Sequence, residues 1–188
     1  MAIVWLTGPS GVGKSTVAWQ LYNQLLQTMH VAVIDTDQLG LMLPFSDRDA
    51  ANHEIKARNL GAYWRAATQE GVRRLIVAGI LPDVGTLKTY TEELGEGPFV
   101  IGLGAKAAEL RQRVLGRGWN TQLADAAVAT ASEYSALPFL DWLVDTSSMT
   151  PPQVAREITT NLPARSPRRP PNVRHSQLPM SCRAMYSG

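Results

Sequence analysis

Nine consecutive residues near the N-terminus, Gly8-Pro9-Ser10-Gly11-Val12-Gly13-Lys14-Ser15-Thr16, place three glycines, a lysine and three hydroxyls in a stretch that reads G-x-x-x-x-G-K-[ST] followed by Thr16. Each residue type brings a separate property. The glycines let backbone N–H groups turn inward around an anion. A helix starting beside Gly13 adds the partial positive charge of its unpaired N–H groups at the same point. Lys14 supplies a mobile cation for the β- and γ-phosphates, the Ser15 hydroxyl is a hard oxygen ligand suited to Mg²⁺, and Thr16 is placed to reach the α-phosphate. Pro9, Ser10 and Val12 complete the loop. The chemistry implied is binding of a nucleoside triphosphate. An apolar run, Ile3-Val4-Trp5-Leu6, precedes the loop, and a helix-patterned stretch, Val17 to Met29, follows it. That strand–loop–helix order distinguishes a phosphate-binding loop from a chance match.

A second set of candidates follows the next apolar run, in Asp35-Thr36-Asp37-Gln38-Leu39. In an open α/β sheet the ligand sits at the carboxyl ends of the strands, so both carboxylates are expected near the phosphates. A spacing of two puts them on one side of the chain if it stays extended. Phosphoryl transfer to a hydroxyl needs a carboxylate to orient that hydroxyl and take its proton. Asp37 is assigned that role and Asp35 the holding of Mg²⁺-bound water or bracing of the loop; the alternative for Asp37 is capping of a short helix over 39–43. Asp37-Gln38-Leu39-Gly40 also spells the D-x-x-G of a GTPase switch, but no N-K-x-D guanine-reading motif occurs, so ATP is preferred. Val77-Ala78-Gly79 lacks the acid that many P-loop ATPases carry there, which argues against mechanical ATPase work. Gly79 is expected to leave room for substrate or to allow close packing of a helix. Arg48, Lys56, Arg58 and Asn59 follow Asp37 and are candidates for contacting an acceptor. His53 reads as an isolated surface histidine. Further on, Leu110-Arg111-Gln112-Arg113-Val114-Leu115-Gly116-Arg117-Gly118-Trp119 sets Arg113 and Arg117 one helical turn apart. The glycines then turn the chain into a short lid, with Arg117 expected on the transferred phosphoryl group and Arg113 on the nucleotide.

Positioning these residues requires a sheet. Five apolar, β-branched runs alternate with helix-patterned stretches: Ile3–Leu6, Val31–Ile34, Leu75–Ile80, Phe99–Leu103 and Trp142–Val144. Continuous apolar runs predict strands buried on both faces of a parallel sheet. Helical stripes are predicted over Ala18, Leu21, Tyr22, Leu25, Leu26 and Met29, over Leu60, Tyr63, Trp64 and Ala67, and over Leu110, Val114 and Leu115. A last helix has Thr150 as cap, Pro151 in the first turn and Gln153 completing a capping box. The expected architecture is α/β, a three-layer sandwich around a five-stranded parallel sheet.

The 188 residues fit one domain, expected over 1–162. Residues 163–188 lose the apolar pattern to Pro, Arg and Ser and read as a disordered basic tail. That tail holds five arginines and no acid, while residues 1–162 carry 13 basic against 16 acidic side chains. The basic pI therefore belongs to the tail, and no nucleic-acid partner is expected of the folded part. One cysteine, Cys182, excludes a disulfide framework or cysteine-rich metal site within the chain. No run approaches membrane-span length and the first residues read as a core strand, so no membrane partner and a cytoplasmic location are expected.

The loop, the Asp-x-Asp after the second run and the L-x-x-R-x-x-x-R before a short lid together resemble the small-molecule kinases of the P-loop superfamily, among them adenylylsulfate kinase, gluconate kinase, shikimate kinase and chloramphenicol phosphotransferase. The resemblance covers about residues 1–162. Asp35-Thr36-Asp37-Gln38 is similar to the D-G-D-N of adenylylsulfate kinase, Phe45-Ser46 precedes a charged helix as there, and Ile76-Val77-Ala78-Gly79-Ile80-Leu81-Pro82 is similar to its I-V-S-x-I-S-P. It implies the P-loop kinase fold, ATP and Mg²⁺ as cosubstrate and metal, a hydroxyl on a small molecule as acceptor, Gly8 to Thr16 as nucleotide site and Asp37 as general base. The chain departs from that family at Leu39-Gly40-Leu41 and at Asp83-Val84-Gly85, where arginines that bind the sulfonucleotide are expected, and it lacks the lysine-rich lid. These departures point away from adenylylsulfate as acceptor. A nucleotide kinase with a phosphate acceptor, and a nucleotide-dependent switch with little transfer activity, are the other readings.

Overall fold

Successive side chains of a strand face opposite ways, and the first strand sorts its residues accordingly. In the computed structural model, which describes residues 2–41, 48–49 and 51–162, β1 (Ile3–Thr7) is buried along its whole length. Val4 and Leu6 enter one apolar cluster, while Ile3 and Trp5 enter another on the opposite face. β3 (Arg74–Ala78) and β4 (Phe99–Gly104) divide their residues in the same way. With β2 (Val31–Asp35) and β5 (Trp142–Asp145) they form one five-stranded, all-parallel sheet in the order β2-β3-β1-β4-β5. Helix α1 (Lys14–Leu25) and helix α6 (Pro151–Asn161) cover the Val4 face together with α4 (Ala107–Leu115) and α5 (Thr121–Ser135). Helices α2 (His53–Gln69) and α3 (Val84–Leu94) cover the Trp5 face. This is the expected α/β three-layer sandwich.

Burial on both strand faces holds only for the centre of the sheet. In β2 just Ala32 is fully buried, and in β5 just Val144, because an edge strand has a neighbour on one side only and its helices overhang it less. Leu115, expected in a helical stripe with Leu110 and Val114, is exposed at the end of α4. Two helices that the apolar stripes did not predict, α3 and α5, have explicit starts instead. The Asp83 carboxylate accepts the Thr86 N–H at 2.7 Å, and the Asn120 side chain accepts the Leu123 N–H at 2.9 Å. α6 begins as predicted, with Gln153 Oε1 accepting the Thr150 N–H at 2.8 Å. The short lid is a turn over 116–120 between α4 and α5, with Arg111 paired to Asp125 across the two helices.

β1 and β3 sit side by side in the sheet, and β2 lies beyond β3. Their carboxyl ends, with Lys14, Asp35 and Gly79, therefore meet at one rim. Phe45-Ser46, Cys182 and the rest of the basic stretch 163–188 lie outside the described residues.

Candidate functional site

The loop between β1 and α1 is shaped by backbone that only glycine adopts readily. Gly8 has φ 145°, and a Cβ there would run into the Leu103 carbonyl of β4. Gly13 has φ 105° and caps α1 with no side-chain hydrogen bond and no acid in the first turn. The first N–H groups of α1 therefore keep their partial positive charge for an external anion. Pro9 and Val12 are buried, anchoring the loop, while Ser10, Ser15 and Thr16 are exposed along its mouth. The Lys14 ammonium folds back onto the loop, donating to the Gly8 carbonyl at 2.9 Å and the Pro9 carbonyl at 3.1 Å.

Burial pushes the Lys14 ammonium down to about 8, against the pull of Asp37 and Asp35, with Arg117 adding to the lowering. The sign of the consequence follows directly. In the unfolded chain this lysine titrates near 10.5, so between about 8 and 10.5 the folded protein binds fewer protons than the unfolded one. The charged form is therefore disfavoured by folding, and the penalty is relieved as pH rises through about 8. A bound triphosphate favours the ammonium and restores its proton. Affinity for ATP is expected to be flat below pH 7.5 and to weaken by up to about tenfold per pH unit above pH 8, with proton uptake on binding at pH 8.5. Titrations followed by tryptophan fluorescence and by calorimetry in buffers of differing ionisation heat check both parts. Trp19, half-exposed and stacked on Tyr22 at 5.3 Å, gives a reporter on α1.

Asp35 ends β2 and does two things. Its Oδ2 accepts the Ser15 hydroxyl at 2.5 Å, and its Oδ1 accepts the Asp37 N–H at 3.0 Å. The second contact caps a 3₁₀ turn over Thr36–Gly40. The chain does not stay extended after β2, so Asp35 and Asp37 do not share a side in the manner a strand would impose. The short helix begins before the expected 39–43, and Asp35, not Asp37, is its cap. Among the described residues no cluster of three His, Cys, Asp or Glu side chains could hold a metal. The Ser15–Asp35 pair is nevertheless a fit for Mg²⁺, which takes one or two hard oxygen ligands from protein and the rest from phosphate and water. A cavity of about 250 Å³ opens beside the pair, with Trp19, Gln38 and Ala78 in its wall.

The Asp37 carboxylate is largely exposed and takes a salt bridge from Lys56 Nζ at 3.2 Å. Lys56 comes from α2, whose first turn is fastened by Asp49. That carboxylate accepts the N–H groups of His53 at 2.8 Å and Glu54 at 2.7 Å. Asn52, buried with φ 56°, donates from its side chain to the Gly40 carbonyl at 3.1 Å. Asn59 donates to the Leu39 carbonyl at 2.8 Å. Its amide therefore ties α2 to the 3₁₀ turn. Arg48 and Arg58 are exposed.

Gly79 does not hold space open for substrate. A Cβ there would collide with the Thr36 side chain, so the close approach that needs glycine is packing of the 3₁₀ turn against β3. Trp5 Nε1 also donates to the Gly79 carbonyl at 3.0 Å.

Arg113 differs from the expected nucleotide-contacting cation. Its guanidinium donates to the Val12 carbonyl at 3.3 Å, to Thr146 Oγ1 and the Thr146 carbonyl at 2.8 Å each, and to Glu109 at 2.5 Å. With those donors engaged it braces the loop against the end of β5. Nor does Arg117 share its helical face. α4 stops at Leu115, and Arg117 lies in the following turn with its guanidinium 5.9 Å from the centre of the Trp119 ring. Its charge reaches Lys14, which keeps it at the phosphate end.

His53 is not an isolated surface residue. Its Nδ1 lies 3.2 Å from the hydroxyl of Tyr90, a side chain on α3 that is buried against Trp5 with ring centres 4.6 Å apart. Burial, and then Lys56, lower its pKa, with Asp49, Asp83 and Asp37 opposing. Only the exposed Asp83 carboxylate at the start of α3 carried a local signal, Pro82-Asp83 ahead of a helix. The His53–Tyr90 contact spans 37 residues and has none.

Arranged this way, the rim brings together a glycine loop with open helix N–H groups, the Ser15–Asp35 oxygen pair and, two residues farther along the chain, a carboxylate held by an ammonium. The AAA domain family matches residues 4–133. The adenylyl-sulfate kinase of Myxococcus xanthus is 36% identical over 105 residues, 52% of this chain and 54% of that protein. The adenylyl-sulfate kinase of Pseudomonas aeruginosa is 33% identical over 110 residues, 54% of this chain and 49% of that protein. The chain thus matches about half the length of these curated relatives. Among solved structures, the fold is similar to the tunicamycin resistance protein of Deinococcus radiodurans, with a TM-score of 0.62 at 22% identity, covering 86% of this chain and 95% of that one. It is also similar to a gluconokinase from Sinorhizobium meliloti, with a TM-score of 0.56 at 18% identity, covering 83% and 87%. An APS kinase from Mycobacterium tuberculosis, in complex with AMPPNP and APS, matches with a TM-score of 0.51 at 19% identity over 85% and 95%. Matched from β1 through α5 and built on the same parallel sheet, this chain belongs to the AAA domain family.

Proposed function

We propose that this protein is an ATP- and Mg²⁺-dependent phosphotransferase that moves the γ-phosphoryl group to a hydroxyl of a small molecule. The observation that carries the reading is the Asp37 carboxylate, exposed on the 3₁₀ turn that follows β2, held by Lys56 at 3.2 Å and electrostatically coupled to Lys14. A base in that position serves an acceptor that must lose a proton; an acceptor phosphate would have no use for it. The acceptor oxygen attacks the γ-phosphorus in line, the bond from that phosphorus to the β–γ bridging oxygen breaks, ADP leaves, and the acceptor proton passes to Asp37. The loop N–H groups and Lys14 neutralise the phosphates, and Arg117 closes over the transferred group. Mg²⁺, held by Ser15 with Asp35 behind it, would supply charge neutralisation of the β- and γ-oxygens. Lys56 holds the Asp37 carboxylate in place between turnovers. No described helix is long and apolar enough to cross a membrane, and a freely diffusing acceptor in the ATP-rich cytoplasm suits this chemistry.

The test is ADP release with product identification by ³¹P NMR, comparing hydroxylated metabolites and hydroxyl-bearing antibiotics with nucleoside monophosphates. A phosphate ester as product supports the reading. A nucleoside diphosphate as sole product would replace it with a nucleotide kinase.

A further inference from the structure

Asp37 accounts for the proton of the reacting hydroxyl, but not for how the rest of the acceptor is recognised. His53 opens α2 one turn before Lys56, so the two side chains share a face of that helix. Lys56 reaches Asp37, which places the imidazole at the same corner of the rim. The ring is fixed from behind. Its edge packs on Tyr90 at 84° with centres 5.9 Å apart, its Nδ1 is engaged by the Tyr90 hydroxyl, and its backbone N–H is held by Asp49. Burial raises the Tyr90 phenol, so it stays a neutral hydroxyl with one proton to share. Among the described residues no hydrogen-bond partner is found for Nε2.

We infer that His53 Nε2 recognises the acceptor, and that the acceptor is an uncharged, polyhydroxylated small molecule of the sugar or polyol class. The inference rests on Asp37 being the acceptor's base, as argued above. If Asp37 takes one hydroxyl and His53 another, the acceptor carries at least two. An alcohol also suits the ring chemically. A neutral imidazole offers one N–H or one lone pair at Nε2, whichever the Tyr90 contact leaves, and a hydroxyl can answer either. A phosphate, sulfate or carboxylate answers only an N–H and gains most from the imidazolium, which burial and Lys56 both oppose. The charges at the ring point the same way. Asp49 comes from the segment before α2, Asp83 from the start of α3 and Asp37 from the end of β2, against Lys56 from α2, whose charge is already shared with Asp37. With Lys56 and Asp37 neutralising each other, the Asp49 and Asp83 carboxylates remain beside the ring and disfavour an anionic acceptor.

The experiment is steady-state transfer from ATP to matched acceptor pairs, each neutral sugar or polyol set against its phosphate ester or acid, with the native chain and with His53→Leu and His53→Gln. Neutral members are expected to be the better acceptors by at least about tenfold in kcat/KM. His53→Leu is expected to raise acceptor KM by about tenfold or more while ATP KM stays within about twofold, and His53→Gln, which keeps a hydrogen-bonding amide, to recover part of the loss. A histidine that merely packed on Tyr90 would give His53→Leu an unchanged acceptor KM. That result, or an anionic member of the pairs as best acceptor, or no neutral member phosphorylated, overturns the inference. Failure of the underlying reading looks different: transfer then occurs only to nucleoside monophosphates and persists in Asp37→Asn.

Discussion

Replacing Lys14 by alanine is expected to abolish stabilisation of the protein by Mg·ATP. A ligand at 100 times its Kd stabilises the folded state by about 2.7 kcal/mol. For a chain of this size that corresponds to a rise in Tm of roughly 5–10 °C. The native protein should show that rise in a thermal melt, and Lys14→Ala should show less than about 1 °C. The reason is geometric. Lys14 is the cation held inside the loop, with its ammonium on the Gly8 and Pro9 carbonyls, where the β- and γ-phosphates would displace it. Turnover should fall by about three orders of magnitude or more, because the lost contact is strongest on the charge of the transferring phosphoryl group. Folding itself should not suffer comparably. Burial disfavours the charged form of this lysine, so its removal takes away a cost as well as two hydrogen bonds. The Tm without nucleotide is the control that separates a lost site from a lost fold. An unchanged shift with ATP in the variant would remove the loop as the nucleotide site.

Asp37→Asn is expected to lower kcat by about 10²–10⁴-fold, equivalent to about 3–5 kcal/mol in the barrier, with ATP affinity within about twofold of native. The substitution keeps the shape and the hydrogen-bonding oxygen that faces Lys56, and removes only the ability to accept a proton. Asp35, which caps the 3₁₀ turn and holds Ser15, is untouched, so the turn should keep its geometry. Stopped assays with saturating ATP, and the nucleotide titration already described, measure the two parts independently. Near-native turnover would mean that the acceptor needs no base, as a phosphate does not.

Lys14 and Asp37 are both legible in the sequence, unlike the partners that hold them. The loop was legible because its chemistry is contiguous. Three glycines, Lys14 and Ser15 lie within nine residues, and the flanking periodicities set strand before helix. The central strands were legible because burial on both faces leaves an unbroken apolar run. β2 and β5 were found by the same rule, but for edge strands it overstated burial. α3 and α5 escaped a search for stripes because few of their side chains reach the core: Tyr90 and Leu94 in one, Ala124 and Ala127 in the other. Their caps, Asp83 and Asn120, were the readable signal.

Arg113 was selected for the right neighbourhood and the wrong task. Its distance along the chain from Val12 and Thr146 hides the fact that its donors close onto loop and strand end. Of the two readings of Gly79, room for substrate and close packing of a helix, the geometry supports the second, because Thr36 of the 3₁₀ turn fills the space. In both cases a residue near the site serves the scaffold that holds the site still, and such a role depends on partners 33 to 101 residues away.

The sequence by itself determined the loop end of the proposed site, because backbone conformation, a helix start, a cation and a hydroxyl are all local properties of Gly8–Thr16. The tertiary structure decided the other end. Asp35 became cap and Ser15 partner only when β2 turned into a 3₁₀ helix beside α1; Asp37 gained Lys56, and His53 gained Tyr90, only when α2 and α3 packed on the Trp5 face. The Ser15, Lys56 and Tyr90 contacts join side chains 19 to 37 residues apart whose spacing encodes nothing, and packing of the helices on the sheet brings them together.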